Sequence, residues 1–166
     1  MFGNAPKIEP VPLENIKVAI ISSRWHQEIC DCLVKGAKRA LEEAGVKEIF
    51  TDYVAGSFEL PLAAQLALKS GADAAIVLGV VLRGETPHFD YVCQGVTNGI
   101  MQTSLDLNKP IGFGVLTVDT LEQAIARSGV AGSKENKGYD SAIAALDLLR
   151  VKGKFFDRFA NSFCTS

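Results

Sequence analysis

The chain has 166 residues, 48% of them hydrophobic and 22% charged, with 17 basic against 19 acidic side chains and a formal charge of −2. This balance excludes a chain too short or too polar to build a core, since a domain of this size can bury about 70% of the surface its unfolded chain exposes. It leaves no overall basic footprint for nucleic acid, and the longest apolar run, residues 74–82, is less than half the ~20 residues a membrane-spanning helix needs.

Residues 1–14, MFGNAPKIEPVPLE, read as an N-terminal arm, and residues 15–166 as one α/β domain. The arm lacks the apolar stretch of a secretory signal, so a cytoplasmic protein with reduced, mostly buried thiols is expected from its four cysteines. The first strand is expected over 17–22, KVAIIS, a short apolar run typical of a strand buried on both faces. Ile29, Leu33, Ala37, Ala40, Leu41 and Ala44 then recur at helical spacing, and Gly45 supplies a stop. Lys35, Lys38 and Arg39 fall on the wet face of that helix. His26 and Cys30 could share a face, but no further His or Cys falls on that face, and no metal or other cofactor is expected.

A second strand is expected over 48–54, then a helix over 58–70 with Pro61 in its first turn. Residues 74–82 read as the central strand and 88–107 as a long helix with Val92, Val96, Ile100, Thr103 and Leu107 on one face. Residues 111–118 form the fourth strand, and 120–127 a short helix opened by a capping box of Thr120 and Gln123. After a Gly/Ser/Lys-rich loop, a last helix runs over 139–149 with Ala142, Ile143, Leu146 and Leu149 inward. Phe155, Phe156, Phe159 and Phe163 beyond it share a helical face and are expected to pack on the body or on a neighbour. Strands alternating with helices predict a three-layer α/β/α sandwich around a four-stranded parallel sheet, flavodoxin-like.

In such sheets ligands bind beyond the carboxyl ends of the strands, and the unusual residues of this chain lie there. Trp25 follows strand one and could stack on a heterocycle or pack beneath a loop. After strand two come Gly56, which allows close backbone approach, Ser57, and Glu59, whose carboxylate suits either the helix dipole or a polyhydroxylated ligand. After strand three, Gly79 to Thr86 begin like a phosphate-binding P-loop, yet Glu85 stands where that loop needs lysine. Nucleotide hydrolysis is thereby disfavoured, while a turn at Gly84 feeding a helix N-terminus still suits a single phosphate ester. His88 opens that helix, and an imidazole exchanges protons near neutral pH. The cation for the phosphate is sought in Arg127, Lys134 or Lys137.

The blocks VAGSFELP (54–61), LGVVLRGETPHFDYVC (78–93), GFGVLTVDTLEQAIARSG (112–129) and NKGYDSA (136–142) together resemble the lumazine synthase family. The resemblance implies condensation of 5-amino-6-ribitylaminouracil with 3,4-dihydroxy-2-butanone 4-phosphate to 6,7-dimethyl-8-ribityllumazine, the penultimate step of riboflavin biosynthesis. It implies that Trp25 stacks on the pyrimidine, that Ser57, Phe58 and Glu59 hold the ribityl chain, and that Val80, Val81 and Leu82 line the pocket. Gly84, Glu85 and Thr86 would cradle the phosphate with Arg127 as its cation, and His88 would shuttle protons. Lys137 would reach the substrate, and Phe113 would come from a neighbouring subunit. The implied partners are the two small substrates and further copies of the chain, most simply in a pentamer, with no nucleic acid or membrane. Two features disfavour a sixty-subunit capsid: the loop SGVAGSKENK (128–137) is two residues longer than in capsid-forming members, and Pro6, Pro10 and Pro12 cannot donate ladder hydrogen bonds. The alternatives are an archaeal-type riboflavin synthase, which dismutates lumazine, and a non-catalytic flavin- or lumazine-binding protein.

Overall fold

A computed structural model describes residues 15–160 of the chain. The elements are β1 (Lys17–Ser23), α1 (Gln27–Glu43), β2 (Glu48–Val54), a 3-10 turn (Ser57–Glu59), α2 (Leu60–Lys69), β3 (Ala74–Leu82), α3 (His88–Leu107), β4 (Ile111–Val118), α4 (Leu121–Ile125) and α5 (Lys137–Ala160). The four strands form one sheet in the order β2-β1-β3-β4, every neighbouring pair parallel. The N-terminal arm with its three prolines, and Phe163 and Cys164, lie outside the described residues.

Alternation along β1 and β3 explains the layers. Val18, Ile20, Ile76, Leu78 and Val80 point to one face, where they pack with α1 and α5 around Leu33, Leu41, Ile143 and Leu146. Ala19, Ile21, Ala75 and Val77 point to the other, against Leu60, Ala64 and Leu68 of α2 and Val96 and Ile100 of α3. Strands buried on both faces need helices on both faces, and successive parallel strands need crossovers to connect them. The order reverses between β1 and β3: from β1 the chain proceeds to β2, from β3 to β4. Their carboxyl ends diverge there, and a crevice opens.

The expected three-layer sandwich is the fold observed, and β2, β3, β4 and α3 begin and end where the sequence placed them. Four details differ. β1 runs one residue further, to Ser23. The helix expected over 58–70 is split, because Glu59 folds back to accept the Gly56 N–H at 2.8 Å and tightens the entry into a 3-10 turn before α2. The short helix is α4 alone, and Arg127 and Ser128 close it in tight turns onto the carbonyls of Ala124 and Ile125. The last helix, α5, starts at Lys137 and runs to Ala160. Gly153 does not stop it, since glycine inside a helix costs only about 1 kcal/mol relative to alanine. Phe155, Phe156 and Phe159 are therefore on its later turns, and in the isolated chain they are exposed rather than packed on the body.

The capping box also takes another form. Thr120 Oγ1 accepts the Gln123 N–H at 3.3 Å, but the Gln123 side chain accepts from Asp119, one residue before the cap. Of the thiols, Cys30 is buried, with burial pushing its pKa up, whereas Cys32 and Cys93 are only half-buried. All three are free thiols.

α1 and α5 approach closely because Gly138 lies against the backbone of α1, where an added Cβ would run into the Leu33 carbonyl. Gly138→Ala should lower the stability by about 1–3 kcal/mol, the usual penalty of overpacking a core, measurable as a reduced urea midpoint. An unchanged midpoint would mean that the two helices are not held at this distance.

Candidate functional site

The crevice at the switch point is an open cleft of about 720 Å³. β1 delivers Trp25, whose ring is 68% exposed at the mouth. β2 leads into Gly56, Ser57, Phe58 and Glu59, and β3 ends in Val80, Val81 and Leu82, which form the apolar wall. Gly84 and His88 close the far side, with His88 as the exposed first residue of α3. The cleft therefore offers a flat ring, an apolar wall, a hydroxyl and a carboxylate, and the positive end of a long helix.

Ser57 is the most telling of these. Its hydroxyl is buried and has no hydrogen-bond partner among the described residues. Gly79 makes room for it: a Cβ there would come within 2.6 Å of Ser57 Oγ and 3.1 Å of Ser23 Oγ. Buried polar groups are normally paired, so an orphaned hydroxyl beside a cleft stands out. Glu59 is partly committed, because one carboxylate oxygen holds Gly56. The dipole-and-cap role and a role toward a ligand are compatible, since the second oxygen is left over.

Other named residues stand apart from the cleft of their own chain. Glu85 and Thr86 are exposed on the loop beside it. Phe113 is opposite Val77 on the edge strand β4 and is 41% exposed. Arg127 and Lys137 are held next to one another beyond β4, the Lys137 N–H donating to the Arg127 carbonyl at 2.9 Å. Asn136 organises that loop by capping α5 through the Tyr139 N–H at 3.0 Å. Arg127 donates to the Gln123 carbonyl at 2.9 Å. Lys137 pairs with Glu135 at 3.0 Å and Asp140 at 3.1 Å. Burial lowers the Lys137 pKa, but these two partners outweigh it and hold the ammonium above its usual range. The Lys137 hydrogen bond in turn lowers Glu135.

Five residues that sequence reasoning did not assign also line the cleft: His26, Ala55, Arg83, Tyr91 and Val92. Tyr91 and Val92 were within reach, being three and four residues after His88 on one helix face. Arg83 was within reach too. It directly follows β3, as close in sequence to the 84–87 loop as a cation can be. His26 carries a left-handed backbone ahead of α1, φ 53°, which no sequence pattern announced. Among the described residues, no three His, Cys, Asp or Glu side chains gather in a way that could hold a metal, and no helix is long and apolar enough to cross a membrane.

The family model for 6,7-dimethyl-8-ribityllumazine synthase matches residues 15–153. Proteins named 6,7-dimethyl-8-ribityllumazine synthase from Streptomyces coelicolor, Streptomyces avermitilis and Kineococcus radiotolerans are 51%, 50% and 50% identical to this chain. In each case the match spans 86% of this chain and 88% of the relative.

Removing an unpaired buried hydroxyl should relieve a desolvation penalty rather than break a bond. Ser57→Ala should accordingly melt at or slightly above the wild-type temperature in the absence of ligand. A clear drop would show that Ser57 has a structural partner.

Proposed function

The chain belongs to the 6,7-dimethyl-8-ribityllumazine synthase family, and on that premise we propose how its cleft carries the family's reaction. 5-Amino-6-ribitylaminouracil condenses with 3,4-dihydroxy-2-butanone 4-phosphate to give the lumazine, with release of phosphate and water. Trp25 stacks on the pyrimidine, and Val80, Val81 and Leu82 form the wall beside it. Ser57, Phe58 and Glu59 hold the ribityl chain, the Ser57 hydroxyl and the spare Glu59 oxygen bonding to its hydroxyls. Gly84, Glu85 and Thr86 receive the phosphate, largely through the backbone at the start of α3. The observation that carries this reading is the convergence of the exposed Trp25 ring, the orphaned Ser57 hydroxyl and His88 in one cleft.

The chemistry comprises imine formation, phosphate elimination, ring closure and dehydration. Each step moves protons, and His88 is the group placed to move them, a contribution typically worth 10²–10⁴-fold. Holding both substrates in register supplies much of the remaining acceleration. No observation favours lumazine dismutation or non-catalytic binding. Incubation with both substrates, against lumazine alone, decides among the three: lumazine formed from the pair supports condensation, and riboflavin formed from lumazine alone overturns it.

The site is completed across a subunit boundary. Arg127, Lys137 and Phe113 do not line the cleft of their own chain, and this supports their reaching the cleft of a neighbour. Apolar side chains left exposed on α2, α3 and β4, among them Leu62, Leu66, Met101, Leu105 and Phe113, support such a contact. A head-to-tail contact of this kind closes into a ring when the rotation between subunits returns to its start, and five is the number the family resemblance implies. The enzyme is further proposed to act in the cytoplasm.

If Arg127 supplies the phosphate's cation, Arg127→Ala should weaken butanone phosphate by roughly 1.5–3 kcal/mol, about 10- to 150-fold, and leave the pyrimidine nearly untouched. Equal weakening of both substrates would assign Arg127 a folding role instead. Light scattering should report a pentamer, or two pentamers face to face. A particle near sixty subunits would show that the long loop and the prolines do not prevent a shell, and an active monomer would end the shared-site scheme.

A further inference from the structure

Arg83 lines the cleft, and its side chain bridges two separate parts of the chain. Its Nε donates to Asp119 Oδ1 at 2.6 Å, its Nη1 to Asp90 Oδ1 at 3.3 Å, and its guanidinium carbon lies 4.1 Å from the centroid of the Phe89 ring. Its backbone N–H is engaged as well, donating to the Val118 carbonyl at 2.9 Å. Asp119 is the residue after β4 and directly precedes Thr120, the cap of the short helix that leads to Arg127. Phe89 and Asp90 directly follow His88 in the first turn of α3. Residues 84–87, the loop assigned to the phosphate, are thus tied at both ends to one planar cation.

We infer that Arg83 is a positioning residue: by joining Asp90 to Asp119 it sets the 84–87 loop and His88 against the phosphate-bearing substrate. This inference rests on the reading of the cleft proposed above. A guanidinium suits the task because it is a rigid fork that can bond two carboxylates and stack on an aromatic face at once, which an ammonium cannot. The ion pairs are half-exposed, with 46% of the Arg83 side chain open, and such pairs contribute little to stability. Their effect on rate is a different quantity, since a misplacement of about 1 Å in an active site can cost about 100-fold. The same bridge fixes the chain's own His88 and the strand end from which its Arg127 departs. In a ring, Arg83 would thereby stand between the site a subunit owns and the site it completes for its neighbour.

The alternative is that Arg83 leaves its carboxylates and binds the phosphate directly. Steady-state kinetics in both substrates separates the two for wild type, Arg83→Met, Arg83→Lys, Asp119→Asn and the Arg83→Met/Asp119→Asn double variant, each checked for assembly by light scattering. Positioning predicts that Arg83→Met and Asp119→Asn each raise KM for butanone phosphate about tenfold while KM for the pyrimidine stays within about twofold. The double variant should be no worse than the poorer single one, as for residues acting through one bridge, and Arg83→Lys should restore only part of the loss. Unchanged or improved constants in Asp119→Asn overturn the positioning role, and so does equal loss toward both substrates. If Arg83→Met does not fold, the isosteric Asp119→Asn decides on the same criteria. Wild-type protein unable to condense the two substrates removes the reading of the cleft and this role with it. An active wild type beside an unaffected Asp119→Asn removes the role alone.

Discussion

Burial of β1 and β3 on both faces is the constraint from which the remaining architecture follows. Val18 and Ile20 on one side, and Ala19 and Ile21 on the other, are almost fully withdrawn from water. At roughly 25 cal/mol per Å² of apolar surface, such strands are worth far more inside than at an edge. They can be inside only if helices cover both faces. Once α1 carries the chain outward on one face and α2 returns it on the other, the strand order must reverse between β1 and β3. The cleft is the geometric residue of that reversal, formed without any residue having to be set aside for it.

The wall and the mouth of the cleft answer to different demands. Val80, Val81 and Leu82 continue the core strand, so one apolar run serves both the sheet and the wall of the cleft. Trp25, Phe58 and His88 are exposed and add little to the core. Trp25 is held from beneath by the Cys30 thiol, which donates to its carbonyl at 3.3 Å. Core packing thus gives way to exposed side chains just past the strand ends.

Most of the fold was legible because its boundaries are punctuated. Pro110 precedes β4, Gly71 follows α2, and the apolar run of β3 stops at Arg83, so the period of two and the period of 3.6 meet at clear signals. The far end of α5 was not legible, because its outward pattern changes after Leu149 while its backbone has no reason to stop. At the site, residues following each strand could be named from position alone. Arg83 was missed because a cation beside a phosphate loop reads as a ligand or as nothing. Its engagement with Asp90 and Asp119 depends on two segments distant in sequence from each other.

The length of α5 has a consequence for how the molecule opens. Ala142, Ile143, Ala145 and Leu146 are locked into the core, so their amides can exchange only when the sheet and α1 come apart with them. Lys154 to Phe159 are all exposed. The rings of Phe155 and Phe159 stack there, with centroids 6.1 Å apart. Short helical segments without tertiary support are marginal in water. By this reasoning opening free energy is graded along one continuous helix, global at its middle and lower past Gly153.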